Sequence, residues 1–310
     1  MSRSPTLAAS LLAASYLALA GCASGQPLPE LDSARLLSDL SVLAHDSMEG
    51  RAAGTAGGQR ARAFLSRALG EAGARPFAGG FEQPFAWTRG SGVNLVGMVP
   101  GRSDPGSASG DVIFLTAHYD HLGVRDGQIF NGADDNASGA AAVLEIVRRV
   151  SREPLEHTLL VALFDAEELG SRGARALVAE PPVPLERVAL DVNLDMVART
   201  AGLLWAGGAA HTPALRPVLE GVAARAPVTL RLGHDRPGAP EGDDWTEQSD
   251  HVAFHEVGIP FVYFGVEDHP DYHRPTDDVE RIDPGEYVAA VRTILMALRA
   301  LDAALPLEPR

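Results

Sequence analysis

Beyond Asn94, four short apolar runs, Val112–Ala117, Thr158–Phe164, Val188–Leu194 and Pro260–Phe264, alternate with stretches of helical periodicity. Runs this short and this apolar read as strands buried on both sides, and burying both sides of a sheet requires helices above and below it. The chain is therefore expected to be α/β, with a mostly parallel central β-sheet and helices on both faces. Helices are predicted over Gly139–Val150, Pro213–Ala224 and Pro284–Ala304, the last with Asp283 as N-cap and Pro284 in its first turn. Two more precede the sheet: one carries Leu36, Leu37, Leu40 and Leu43 at helical spacing, the other covers Gln59–Ala72. One folded domain over 31–310 accounts for all of them.

The first residues follow different rules. Arg3 is followed by an apolar run from Leu7 to Ala20, too short to span a bilayer and shaped like the hydrophobic part of a secretory signal. Leu19-Ala20-Gly21-Cys22 resembles the bacterial lipobox, in which cleavage before the cysteine leaves Cys22 to carry acyl chains. Residues 1–21 are thus expected to be a lipoprotein signal peptide and residues 22–30, with Pro27 and Pro29, a flexible tether. The expected location is the cell envelope, with the lipid-anchored body facing the periplasm.

Composition narrows the chemistry. With 41 acidic and 26 basic residues the formal charge is -15, which repels phosphate backbones, so no nucleic-acid partner is expected. Every basic residue is arginine. Schiff-base, Ser-Lys and P-loop chemistries therefore lack their lysine. A single Cys allows neither an internal disulfide nor a multi-thiolate zinc site. A bound metal must sit on imidazole and carboxylate.

Five polar clusters fall at or just beyond the predicted strands or in the loops after them: His118-Tyr119-Asp120-His121, Asp134-Asp135-Asn136, Asp165-Ala166-Glu167-Glu168, Asn193-Leu194-Asp195 and Tyr272-His273. Open α/β sheets bind ligands at that end. A pair of divalent ions needs about two terminal ligands each and a bridging carboxylate, a number that His118, Asp134, Glu168, Asp195 and His273 supply. Three such carboxylates against two Zn²⁺ leave one positive charge, which a bridging hydroxide would neutralise. If Glu167 and Glu168 are still extended, their side chains point opposite ways, and one can bind metal while the other handles protons.

Those clusters, with Gly132–Gly139, Glu167-Glu168-Leu169-Gly170-Ser171, Tyr272–Asp277 and Ser249-Asp250-His251 before Gly258-Ile259-Pro260, resemble the dizinc aminopeptidases of the bacterial leucyl aminopeptidase type. The resemblance implies a zinc-exopeptidase (phosphorylase/hydrolase-like) fold, two Zn²⁺ per chain, and peptide substrates with a free N-terminus. It implies His118 and Asp195 on one zinc, Glu168 and His273 on the other, and Asp134 bridging, with a cis peptide at Asp134–Asp135. Glu167 would be the general base toward a bridging water, and Tyr272 would donate to the oxyanion. Asp120 would accept the second N–H of His118, and Asp135 would stand behind the ligands. His121, His251, His255 and His269 exceed the ligand number and are expected in supporting or structural roles. The stretch Gly233–Gln248, with Asp243, Asp244 and Trp245, is a candidate rim of the substrate pocket. Two rival readings share the resemblance: a glutaminyl cyclase-type acyltransferase working with one zinc, and a non-catalytic binding module.

Overall fold

In the central strand Val112–His118, Val112 and Phe114 pack into one apolar cluster, and Ile113, Leu115 and Ala117 into another. This period-two division gives the sheet two dry faces. The computed structural model describes residue 1 and residues 28–307, apart from 78, 104–110, 237 and 241. The expected signal peptide, Cys22 and most of the tether lie outside the described residues. Among those described, no helix is long and apolar enough to cross a membrane.

In chain order the elements are α1 (Ser33–Leu43), α2 (Ala56–Ala72), β1 (Arg75–Pro76), β2 (Glu82–Trp87), β3 (Gly90–Val99), β4 (Val112–His118), β5 (Gly123–Arg125) and β6 (Gln128–Phe130). They continue with α3 (Gly139–Arg152), β7 (Thr158–Phe164), α4 (Arg172–Ala179), β8 (Val188–Leu194), β9 (Leu203–Gly207), α5 (Leu215–Ala223), β10 (Thr229–Leu232), α6 (His251–Glu256), β11 (Phe261–Gly265) and α7 (Pro284–Ala303). The sheet runs β1-β3-β7-β4-β8-β11-β9-β10, with β2 also on β3, while β5 and β6 form a separate hairpin. Its centre, β7-β4-β8-β11, is parallel, and β3 and β9 flank it antiparallel. α1, α2, α3, α5 and α7 cover the face of the larger apolar cluster, and α4 and α6 cover the other.

The expected strands and long helices are present with small shifts at their ends. β11 starts at Phe261, because Pro260 has no N–H for the ladder. α2 starts earlier than Gln59, where the Thr55 side chain accepts the N–H of Gly58. Asp283 caps α7 through the N–H of Glu286. The β2–β3 hairpin is absent from the sequence reading, since β2 is a half-exposed outer strand interrupted by Pro84.

Candidate active site

The C-terminal ends of β4, β7 and β8 lie side by side in the parallel centre of the sheet, and each delivers acidic or imidazole groups to one place. His118 closes β4 and is almost fully buried. Its Nε2 lies 3.3 Å from Asp195 Oδ1, just past β8, and 3.5 Å from Asp135 Oδ1. The other oxygen of Asp135 lies 3.1 Å from His273 Nε2. His273 Nε2 is also 3.4 Å from Glu168 Oε2. Asp135 therefore presents one oxygen to each of two imidazoles that approach from different sides.

Asp134, expected to bridge, does not reach this cluster. Its carboxylate accepts the N–H groups of Ala198 at 2.8 Å and Arg199 at 3.3 Å, and lies 3.3 Å from His269 Nε2. Asp135, expected behind the ligands, takes the shared position instead. The cis peptide is correspondingly one residue later than expected, at Asp135–Asn136. The loop is held from outside: the Asp277 carboxylate accepts the N–H of both Asp134 and Asp135 at 3.1 Å. Asn136 accepts from Gly139 and Met196 and donates to the carbonyl of Leu194.

Glu167 and Glu168 do not continue the extended strand. They open a single helical turn, Glu167–Leu169, after Ala166 at φ 61°. Both still line a cavity of about 250 Å³, together with His118, Asp135, Asp195, Tyr272 and His273. The Asp120 carboxylate accepts the N–H of Glu167 at 3.0 Å. The nearest acceptor for His118 Nδ1 is the Asp120 carbonyl, at 3.2 Å, with the carboxylate at 3.7 Å. The expected orienting contact is thus made mainly by the main chain. Tyr272 stacks on His273 with ring centroids 3.9 Å apart and stays half-buried at the cavity wall.

Electrostatics separate these carboxyl groups. Burial, helped by Asp195, Asp120 and Glu168, pushes Glu167 up to about 8 despite the opposing pull of His118. Burial and Glu168 likewise hold Asp135 well above the usual carboxylate range. Asp195 behaves oppositely: burial raises it, but His118 and a Ser249 hydrogen bond more than offset that and leave it low. A crowded, largely buried carboxylate cluster of this kind needs positive charge to stay ionised.

The donor set fits a pair of cations. His118, Asp135 and Asp195 have ligand atoms within 4.8 Å of one another, and so do His121, Asp135 and Glu168, with Asp135 common to both triads; at the second position His273 Nε2, 3.1 Å from Asp135 and 3.4 Å from Glu168, offers an imidazole as well. Imidazole plus carboxylate suits zinc, and a shared carboxylate suits two ions close together. Larger hollows of about 780 and 730 Å³ lie elsewhere, and neither is lined by a member of the triads.

The profile of peptidase family M28 matches residues 94–298, from β3 into α7, a span that contains both triads. The chain belongs to peptidase family M28. Aminopeptidase YwaD of Bacillus subtilis (strain 168) is 29% identical over 209 residues, which are 64% of this chain and 42% of YwaD. The M28 chain therefore spans less than half of that relative. Among solved structures, BSAP, a zinc aminopeptidase from Bacillus subtilis, superposes with a TM-score of 0.68 at 18% identity, covering 88% of this chain and 96% of BSAP. Porphyromonas gingivalis glutaminyl cyclase superposes with a TM-score of 0.70 at 20% identity, covering 86% and 98%. At such identities the superpositions speak for the shared fold alone, here the mixed α/β sheet of zinc aminopeptidase structures.

Three residues at this M28 site make contacts that the sequence does not show. His121, expected in a supporting or structural role, belongs to the second triad and lies 2.7 Å from Glu168; its spacing from His118 is the signal that places it near the site. Asp277 braces the Asp134–Asp135 loop from more than a hundred residues away, a contact no local pattern encodes. Arg51 lies buried behind the site. The other histidines are supporting: His269 faces Asp134, buried His251 contacts the Trp245 carbonyl, and His255 packs on His211. From the candidate rim, Gln248 reaches the cavity, while Trp245 is buried and stacks on His234 at 3.7 Å.

Proposed function

We propose that the chain is a dizinc aminopeptidase of the leucyl aminopeptidase type, exported and tethered to the cell envelope through acylated Cys22, facing the periplasm, where it removes N-terminal residues from peptides. The observation that carries this reading is Asp135 offering its two oxygens to His118 and His273, with half-buried Glu167 in the same cavity. His118 and Asp195 would hold one zinc, Glu168 and His273 the other, and Asp135 both. Bound there, zinc supplies Lewis acidity toward a carbonyl and acidifies water.

The protein's own groups account for the remaining work. Glu167 lines the same cavity as His118, Asp135 and His273, and as a carboxylate there it can take a proton from the attacking water and return it to the leaving amine. Tyr272 keeps its phenolic proton, because burial and the carboxylates of Asp135 and Asp195 disfavour phenolate, and it can donate to a developing oxyanion. The acidic floor also favours the free ammonium of a peptide over a blocked end.

Zinc content per chain measured beside the hydrolysis of a free and an N-acetylated aminoacyl substrate tests this. Two zincs and a loss of orders of magnitude on acetylation are expected. Equal rates would make the enzyme an endopeptidase or carboxypeptidase; one zinc with ring closure of an N-terminal glutamine would make it a cyclase; no turnover would leave a binding module. Retained detergent partitioning of processed Cys22→Ser protein would remove the anchor.

A further inference from the structure

His121 has no task in the mechanism above, yet it is wholly buried beside it. Its Nδ1 lies 2.7 Å from Glu168 Oε1, while the other oxygen of the same carboxylate, Oε2, faces His273 Nε2 at 3.4 Å. Asp135 is farther from His121 Nδ1, at 3.6 Å. The ring is wedged in place. Gly132, at φ +54°, lies so close that a Cβ there would come within 2.4 Å of His121 Cδ2 and 2.5 Å of Cγ. The Gly132 carbonyl is itself held by Arg51 at 2.9 Å. A backbone without a side chain, fastened from behind and equally close to the Asp135 carbonyl, thus leaves the room that the His121 ring occupies.

We infer that His121 is a positioning residue: its Nδ1–H holds Glu168 Oε1, leaving Oε2 as the single oxygen that meets the cation beside His273. This inference rests on the dizinc reading. A carboxylate with one oxygen engaged by a fixed donor cannot swing to bind through both, so the second position gains one oriented ligand atom in place of a rotating pair.

Zinc titration of the metal-free protein against a competing chelator tests it, using wild type, His121→Phe, which keeps a ring in that room without the donor, and His121→Asn, which keeps a donor without the ring. Wild type should take up two ions, His121→Phe should hold one normally and the other ~10–100-fold more weakly, and His121→Asn should recover most of that loss. Undiminished affinity in His121→Phe overturns the inference, as does equal weakening in both variants. Copper(II) loaded to excess and read by pulsed EPR should show the same number of coupled imidazoles in wild type and His121→Phe; one fewer makes His121 a ligand and overturns the positioning role. Metal-free melting checks folding, and if the phenylalanine variant does not fold, His121→Ala against His121→Asn carries the same comparison. A wild type that takes up fewer than two ions overturns the dizinc reading and this inference with it, whereas two ions with an unaffected variant overturn this inference alone.

Discussion

The guanidinium of Arg51 donates from Nε to the carbonyl of Tyr119 at 2.8 Å, one residue beyond His118. Its two other nitrogens donate to the carbonyls of Leu43, Asn131 and Gly132. One fully buried cation thereby ties the end of α1 to the segment after β4 and to the loop that carries Asp135. Burial lowers its pKa to about 10, with Asp135 and Asp277 opposing the shift, so it remains charged at neutral pH. Arg51→Met would leave these carbonyls without a donor, and a loss of ~3 kcal/mol or more in urea unfolding is expected. Arg51→Lys should recover only part, because an ammonium lacks the planar fork that reaches several carbonyls at once. Wild-type stability in Arg51→Met would remove the tie.

The adjacent aspartates should separate cleanly. Asp135→Asn is expected to weaken zinc binding at both positions, since its oxygens face both imidazoles. Asp134→Asn should keep two zincs and instead lower stability by ~1–3 kcal/mol, because an amide is a poorer partner for the N–H groups of Ala198 and Arg199. Metal analysis after desalting, with urea unfolding, reads both. Loss of zinc in Asp134→Asn alone would return the bridge to Asp134.

Glu167→Gln is expected to hold both zincs and lose ~10²–10⁴ in turnover, the usual share of general acid–base catalysis. Its amide can still occupy the place of the carboxylate but cannot take a proton. Full activity with bound zinc would reject Glu167 as the base.

Beneath the site, Asp191 on β8 is fully buried, and burial pushes its pKa up from 3.8 to about 8, despite a hydrogen bond from Thr116. The folded protein therefore holds this proton more tightly than the unfolded chain. Stability from this group is fully present below about 3.8 and is lost as pH rises to about 8. Asp191→Asn is neutral throughout. Its unfolding free energy should gain on wild type between pH 5 and pH 8, with the other titrating groups cancelling in the comparison. A difference that stays constant over that interval would show that Asp191 does not titrate there.

Much of the architecture was legible because it is local. The runs at Thr158–Phe164 and Val188–Leu194 are apolar enough to be read as buried strands, and they form with those bounds. Asp283 and Pro284 announce the start of α7 through capping chemistry that needs no distant partner. The polar residues beyond these strands were likewise readable as one candidate site, because a parallel sheet gathers its strand ends on one edge.

Orientation was not legible. Asp134 and Asp135 are chemically identical neighbours, and nothing in their order tells which carboxylate turns inward; the N–H groups of Ala198 and Arg199 capture one, and the imidazoles of His118 and His273 face the other. His121 could be expected only to support the site until the fold put it against Glu168, and Arg51 could be taken for a surface charge until the carbonyls of nearby Leu43 and of distant Tyr119, Asn131 and Gly132 closed over it. Composition, pattern and spacing determined the α/β sheet and the kind of chemistry its edge can hold. Which atom meets which was decided only in the tertiary structure, because a buried polar group takes its direction from hydrogen-bond partners that folding brings from far along the chain.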